Sequence, residues 1–463
     1  MKVFCFFFSK KKFLLSFFRT QIMPSETIFT EDFALTPWWW TGFTPPADPP
    51  AELPRHAGTL IIGAGYAGIA CALRLAEAGE DVLVLDAEAI GHGASSRSGG
   101  QVSGGVNVGK APSRKPIPKE RKAALLADAA AGFTLFETLL ERHQIRCGYH
   151  RAGRLNGFWA LQHAQAWQAR IEDLNRHALS EARLIGRDEA RAELGSDFYH
   201  GAAVIGRAGH IQPAEYFGGL LAAARRAGAR IHGQTPVQAV GRVVGGFTVR
   251  TARGAVAADR VVFATNAYTA SYQRDLAPDL RRTLVPVSTH MIATEPLPEE
   301  IRRTVLPTNR CVSETRRVIS HYRLSPDGTR LLFGGRASFF PLPERQKAQL
   351  LHQAMVERFP QLKSIRVTHA WGGRVAMTMD HLPHIGGGEG RYFAAGCQGS
   401  GVTMMTYLGH SLAEKILARE AGPVSAYDSG LPPDHPLYDG SPWFMPALGS
   451  WYQFQDRMER TTP

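Results

Sequence analysis

Cysteine is scarce and scattered in this chain. There are five in 463 residues, at Cys5, Cys71, Cys147, Cys311 and Cys397, and none forms a C-x-x-C pair. An odd number at wide spacing gives neither a disulfide framework nor a structural zinc site, and it fits a reducing, cytoplasmic compartment. Cys71 reads as a small buried apolar residue. No uninterrupted apolar stretch reaches the roughly 18 residues that a membrane span needs. No H-E-x-x-H is present, and His381 and His384, flanking Pro383, are too little for a metal site, so no metal is expected. There is also no G-x-S-x-G nucleophile elbow. A basic stripe interleaved with aromatics is missing as well, so nucleic acid is not an expected partner. The net charge is +12, but residues 1–22 hold five basic and no acidic residues, which leaves about +7 scattered over the rest.

What is present is a globular composition, 44% hydrophobic and 20% charged, in a chain long enough for about three domains. The most informative stretch is Thr59-Leu60-Ile61-Ile62-Gly63-Ala64-Gly65-Tyr66-Ala67-Gly68. An apolar strand enters three glycines at G-x-G-x-x-G spacing, and the helical pattern Ile69, Ala70, Ala72, Leu73, Leu75, Ala76 follows at once. Gly63 suits the tight turn, Gly65 lets backbone approach a pyrophosphate, and Gly68 lets helix and strand pack closely. The helix N-terminus offers free N–H groups and a positive dipole end to that anion. A second strand, Asp81 to Leu85, ends at Asp86, 23 residues after Gly63, where an acid can accept hydrogen bonds from a ribose. Order and spacing together point to a dinucleotide site.

Residues 1–22 carry short phenylalanine-rich pieces divided by Lys10-Lys11-Lys12, without a cleavage pattern. Met23 is the expected start, with a membrane-surface anchor as the alternative. From Met23 to His56, prolines and Trp38-Trp39-Trp40 suggest an arm that lies on the body and buries its aromatics. The loop Ile90 to Gln101 is crowded with small residues and carries Arg97, which suits a planar or phosphorylated ligand as well as an ordinary surface loop.

Amphipathic patterns predict helix in 118–143, 162–177, 213–226 and 343–359. Strands are expected at 153–161, 202–205, 228–232, 247–251, 260–264, 284–295, 311–314, 317–324 and 330–334. A last strand, glycine turn and helix run from Arg391 through Gly396 and Gly401 to about Glu420, and the proline-rich tail 421–463 is expected to pack on the body. The layout is α/β, a Rossmann-like dinucleotide-binding domain intertwined with an antiparallel-sheet α+β substrate domain. The expected division is an arm at 1–56, the dinucleotide domain at 57–110, 201–266 and 369–425, the substrate domain at 111–200 and 267–368, and a tail at 426–463.

Taken in order, these motifs resemble a known family. They are Gly63/Gly65/Gly68, Asp86, the G-A-S-x-R-x-G-G-Q loop from Gly93 to Gln101, the W-G-G-R…T-x-D-x-x-P-x-I-G block from Trp371 to Gly386, and A-A-G-x-x-G-x-G from Ala394 to Gly401. Together they are similar to the FAD-dependent amine oxidases of the D-amino-acid oxidase superfamily, which includes sarcosine and glycine oxidases. Within it the chain looks most like the gamma-glutamylputrescine oxidoreductases of polyamine catabolism.

The resemblance implies FAD rather than NAD. It would set Gly63, Gly65, Tyr66, Ala67 and Gly68 around the pyrophosphate and Asp86 on the adenosine ribose. Ser95, Ser96, Arg97, Gly99, Gly100 and Gln101 would line the ribityl and isoalloxazine side, and Val237 would meet the adenine edge. Gly396, Gly399, Ser400, Gly401, Val402 and Thr403 would cover the pyrimidine end, where a helix N-terminus stabilises charge on a reduced flavin. Relatives that attach flavin covalently use a cysteine where this chain has Val375, so non-covalent FAD is implied.

The implied reaction is oxidation of a primary or secondary amine to an imine and then an aldehyde, with hydride transfer to flavin N5 and dioxygen as acceptor, giving hydrogen peroxide. Gamma-glutamylputrescine or a similar conjugate is the implied substrate. An oxidase or dehydrogenase of glycine, sarcosine or D-amino acids is the alternative, and it needs an arginine for the carboxylate, with Arg316, Arg317 and Arg323 available. An FAD-binding module without turnover, held at a membrane, is the alternative of another class. His290, His321 and Tyr322 are the catalytic candidates, and each also reads as a sheet residue bonded for structural reasons. Trp371 suits a pocket wall or core packing.

Overall fold

The computed structural model describes residues 28–43, 52–105, 107–108, 117–418, 422 and 424–461. The expectations for residues 1–22 and for Met23 as the start lie outside them.

Three sheets organise the chain. One has eight strands, and its path runs Val237–Val243, Gly246–Thr251, Gly254–Phe263, His56–Ile62, Val82–Leu85, Arg230–His232. Arg391–Ala395 pairs parallel with Gly254–Phe263 and antiparallel with His384–Gly388. The central pairings of His56–Ile62 with Val82–Leu85 and Gly254–Phe263 are parallel. Val82–Leu85 is buried throughout, as expected of a parallel strand covered on both faces. The helix Tyr66–Glu77 follows the glycine turn and is apolar nearly all round, because it is sandwiched. Its outer side meets the helix Gly401–Leu417 so closely that a Cβ on Gly409 would lie 2.1 Å from the Ala67 carbonyl oxygen.

The second sheet has nine strands, in spatial order Phe29–Ala34, Val367–Thr378, Leu284–Thr294, Leu331–Gly335, Ser320–Leu324, Cys311–Glu314, Arg154–Gly157, Ala202–Ile205, Ala182–Ile185. It is mostly antiparallel, as its turn-punctuated sequence implies. One face packs on a core that includes Leu155, Val312, Tyr322, Phe333 and Phe359. The third sheet is a short ribbon, Gln101–Ser103 with Ala208–His210.

Several boundaries differ from the sequence expectation. Ala202–Ile205 and the strand carrying Trp371 both pair in the nine-stranded sheet rather than the dinucleotide sheet. The arm contributes a strand of its own, Phe29–Ala34, parallel to Val367–Thr378. Trp39 is fully buried there, edge-on to Trp371 at 6.3 Å, whereas Trp38 and Trp40 are half-buried. The tail holds an unexpected helix, Met445–Thr461. Asp456 anchors it by accepting the Arg317 and Val318 N–H groups at 3.0 and 2.9 Å.

Among the described residues one helix, Lys119–Arg142, could cross a membrane by length and composition. Its Leu125, Leu126, Phe133 and Phe136 are instead buried in the main core. Cys71, Cys147, Cys311 and Cys397 are free and buried, and burial pushes the Cys71 thiol up to about 12.

Candidate active site

The glycine turn is built as its spacing demands. Gly63 has φ of +104°, and a Cβ there would meet the Ala264 carbonyl at 2.9 Å. A Cβ on Gly68 would stand 1.9 Å from the Gly63 oxygen, so only glycine lets the helix start so near the strand end. Asp86 accepts the Ala64 N–H at 2.7 Å and the Glu88 N–H at 3.0 Å, which ties the second strand to the turn. Burial pushes its carboxyl above the usual range, against the pull of those two N–H groups. Ser95 Oγ accepts the Tyr66 N–H at 3.0 Å, bringing the small-residue loop onto the helix start.

From this turn a cavity of about 380 Å³ runs to the inner face of the nine-stranded sheet. Gly63, Gly65, Tyr66, Ala67, Asp86, Ser95, Arg97, Gly99, Gly100, Gln101 and Val237 line it. Gly399, Ser400, Gly401, Val402 and Thr403 close it from the other side, at the start of the last long helix. Three of the expected residues support the wall without forming it. Gly68 makes room for the turn. Ser96 is buried, with its hydroxyl on the Gly91 carbonyl and the Trp40 indole N–H on its oxygen at 3.0 Å. Gly396 donates its N–H to Asn266 Oδ1 at 3.0 Å, which joins the second glycine turn to the end of a central strand.

The three catalytic candidates separate by strand alternation. His321 lines the cavity, lying against Gly99 on one side and Gly334 on the other. Desolvation lowers its pKa to about 4, helped by the neighbouring Arg154, so the imidazole is neutral near pH 7. Tyr322, the next residue, points the opposite way. It is fully buried, stacked on Phe333, with its hydroxyl donating to the Tyr199 hydroxyl at 2.7 Å. His290 also faces away from the cavity, beside Gly372 and 3.6 Å from Glu344, while its neighbours Thr289 and Met291 line the wall. Tyr322 and His290 are therefore structural residues of the sheet.

Trp371 fills both of its expected roles, as a lining residue that is almost fully buried and donates its indole N–H to the Arg97 carbonyl at 2.8 Å. The arginines suggested for a carboxylate are engaged elsewhere. Arg316 pairs with Glu314, Arg317 with Asp456 and Glu459, and Arg323 donates to the Ile211 carbonyl at 2.7 Å.

Other lining residues carry no local sequence signal: Arg154, Ser313, Arg336, Asn107 and Gln398. Asn107 donates to Ser400 Oγ at 2.6 Å and so braces the second turn. Thr265 and Asn266 were accessible in principle, since they follow a central parallel strand, and ligands collect at the carboxyl ends of such strands.

A glycine turn at a helix start, an acid on the next strand, and a long cavity reaching a second sheet define a dinucleotide-binding oxidoreductase. Residues 59–415 match DAO, the FAD dependent oxidoreductase family, and the chain belongs to it. It is 31% identical over 404 residues to gamma-glutamylputrescine oxidoreductase of Escherichia coli K12, covering 86% of this chain and 92% of that protein. It is 30% identical over 370 residues to probable oxidoreductase OrdL of Haemophilus influenzae, covering 80% and 85%. Among solved structures it is similar to L-proline dehydrogenase from P. horikoshii, with a TM-score of 0.67 and 22% identity over 81% of this chain and 97% of that one. Glycine oxidase from Geobacillus kaustophilus gives a TM-score of 0.66 and 20% identity over 80% and 96%. The enzyme is thus an FAD-dependent oxidoreductase of the DAO family, and its glycine cradle, which side chains would fill, fits that cofactor.

Proposed function

We propose that this enzyme oxidises a primary or secondary amine to an imine, which water hydrolyses to an aldehyde, and that gamma-glutamylputrescine or a similar amine conjugate is its substrate. The observation that carries this reading is the cavity itself. It joins the glycine turn to a wall formed by Met291, Ser313, His321 and Trp371 of the nine-stranded sheet. The 31% identity to gamma-glutamylputrescine oxidoreductase over most of both chains supports the substrate.

Gly63–Gly68 and Gly399–Thr403 would hold FAD non-covalently, and the cofactor would supply a two-electron acceptor for a substrate hydride, with dioxygen proposed as the final acceptor and hydrogen peroxide as its product. The protein holds the amine against that site and keeps water out with Met291 and Trp371. His321, neutral near pH 7, can accept a hydrogen bond from the substrate N–H and so orient the amine, while the desolvated wall of Met291 and Trp371 favours the uncharged form that oxidation requires. The N-terminal end of the helix Gly401–Leu417 places a positive dipole end on the cavity, suited to negative charge that builds there. A cytoplasmic placement without membrane attachment completes the proposal.

The test is anaerobic addition of amines to the purified yellow holoenzyme. Gamma-glutamylputrescine should bleach the flavin band, and air should restore it with release of peroxide. Bleaching only by glycine, sarcosine or D-amino acids would overturn the substrate assignment. Colour retained in an acid-precipitated pellet would overturn non-covalent binding.

A further inference from the structure

The helix Met445–Thr461 wears its apolar face outward. The inward face is small or polar. A Cβ on Gly449 would stand 2.0 Å from the Phe339 ring, and Asp456 is held by the Arg317 and Val318 N–H groups. Glu459 pairs with Arg317 at 2.6 Å, and Arg460 lies over the Phe198 ring at 3.8 Å. On the outward face Trp451, Phe454 and Met458 are 53%, 53% and 52% exposed, and Trp443, just ahead of the helix, is 60% exposed. Ala447 is exposed as well.

Ala447, Trp451, Phe454 and Met458 follow one another at intervals of four, three and four residues. Residues three and four apart share a helix face, and this alternation is the pattern by which one helix locks onto another. Trp451 and Phe454 stack at 5.7 Å and form one aromatic surface. A buried aromatic side chain removes roughly 150–250 Å² from water, so the exposed fractions of Trp443, Trp451, Phe454 and Met458 leave roughly 300–550 Å² of apolar surface open. A stable interface buries about 800 Å² per partner, and about 65% of a homodimer interface is apolar, which is about 500 Å². The patch is large enough to be the core of such an interface.

Two occupants compete for it. A lipid surface calls for a lysine- and arginine-rich flank. This helix has no lysine, and Arg460 is turned inward, which leaves Arg457 alone on the outer side. A second copy fits better, because the row complements itself. With two helices antiparallel across a two-fold axis, Trp451 of each copy meets Phe454 of the other, and small Ala447 meets large Met458. The two Arg457 side chains then lie nine residues apart along the axis, about 13.5 Å at 1.5 Å per residue, beyond the roughly 8 Å screening length of physiological salt. No like-charge contact opposes the pairing.

We infer that this face binds a second copy of the chain, helix against helix in antiparallel register, and that the protein is a two-fold dimer. The interface bears on the cavity, because Arg317 and Val318, which hold the helix, lead directly into Ile319 on the cavity wall. The inference is independent of the amine reaction.

Sedimentation velocity of the FAD-loaded full chain tests it, from about 1 to about 50 μM. The unaltered chain should shift from monomer to dimer within or below that range. Trp451→Glu and Phe454→Lys should each weaken the dimer about 30-fold or more, with FAD content and thermal midpoint unchanged because both side chains face water. Val244→Glu, at a fully exposed hairpin tip, should leave the dimer intact. The antiparallel register sets the new carboxylate of one variant against the new ammonium of the other and keeps one Trp451–Phe454 contact. A 1:1 mixture of the two variants should therefore dimerise where neither does alone. A monomeric unaltered chain at about 50 μM would overturn the inference, as would a dimer that survives Trp451→Glu. A mixture that stays monomeric would refute the antiparallel register. If only a chain starting at Met23 dimerises, residues 1–22 occupy the face; if the full chain stays monomeric and binds phosphatidylglycerol–phosphatidylcholine vesicles, lipid does. Either result would overturn the second copy as occupant.

Discussion

Replacing Gly68 with alanine places a Cβ 1.9 Å from the Gly63 carbonyl oxygen, and both partners are backbone. Ordinary contact at such a pair is above 3.4 Å, so the helix start and the turn must separate by more than an ångström. Overpacking of this kind costs about 1–3 kcal/mol. The strain falls on the turn that holds the pyrophosphate, because the strand behind it is locked by parallel neighbours on both sides. If about 2–3 kcal/mol appears in cofactor binding, the FAD dissociation constant rises about 30- to 150-fold.

Two control substitutions separate the possible causes. Gly79→Ala meets a positive φ of +83°, which Gly68 lacks, but has nothing within 4 Å, so it bears only the backbone cost of about 1–2 kcal/mol, and away from the cofactor. Gly241→Ala has neither a positive φ nor a neighbour, and should be silent. Equilibrium dialysis of FAD, with thermal melts of the apoproteins, reads both effects. The reasoning fails if Gly68→Ala keeps its FAD affinity, or if Gly79→Ala loses as much.

Three further outcomes are expected. His321→Ala should lower kcat/KM about 10- to 100-fold with FAD still bound, whereas His290→Ala, on the opposite face, should change kcat/KM little; equal losses would contradict the alternation argument. His321 titrates near 4, so an acid limb of the rate profile above pH 6 should persist in His321→Gln; its disappearance would mean that the imidazole is the titrating group. Glu314→Gln leaves Arg358 and Arg316 without their shared buried carboxylate and should cost about 3–5 kcal/mol in urea unfolding; less than 1 kcal/mol would show that the pair is dispensable. Burial raises the Glu314 pKa, but the two arginines outweigh it and bring the folded value to about 2 from 4.5. The stabilisation from this group is therefore complete above pH 4.5 and drains away as pH falls toward 2, and acid titration of unfolding should show that slope in the unaltered protein and not in Glu314→Gln.

How much of this was legible in the sequence depends on how local each signal is. The turn at Gly63 was readable because strand, glycines, helix and Asp86 lie within about 30 residues, and Gly68 answers to Gly63 inside that segment, although Gly63 and Gly65 meet Ala264 and Ser95 from outside it. The sandwich helix Tyr66–Glu77 and the antiparallel character of 284–335 were readable for the same reason. The helix Met445–Thr461 was hidden because it buries little besides Gly449 and Asp456. A polar anchor on Arg317 and Val318 holds it, and its larger apolar residues Trp451, Phe454 and Met458 stay exposed. Among His290, His321 and Tyr322, alternation predicts that the last two face opposite ways. It does not say which face meets the ligand. That is decided by a core containing Leu155, Val312 and Phe333 on one side and by Gly99, more than 200 residues earlier in the chain, on the other.

The segment around Gly99 to Ser103 explains how two sheets so far apart in sequence make one cavity. Gln101 donates from Nε2 to the Val312 carbonyl at 2.9 Å and accepts the Ser313 hydroxyl at 3.2 Å, both in the nine-stranded sheet. Two residues on, the Ser103 carbonyl accepts the Thr403 hydroxyl at 3.1 Å, at the start of the last long helix. Gly99 lies directly against His321, and Gly100, with φ of +67°, would bring any Cβ to 2.3 Å from the Ile211 carbonyl. Contacts from Gly99, Gly100, Gln101 and Ser103 thus tie the loop that follows Asp86 to the helix of Thr403 and the strand of His321. Small residues are needed here because three backbones converge, and a polar side chain is needed at 101 because the carbonyl and hydroxyl it meets are shielded from water. The loop that looked as suited to an ordinary surface as to a ligand is the joint that sets the two sheets around one cavity.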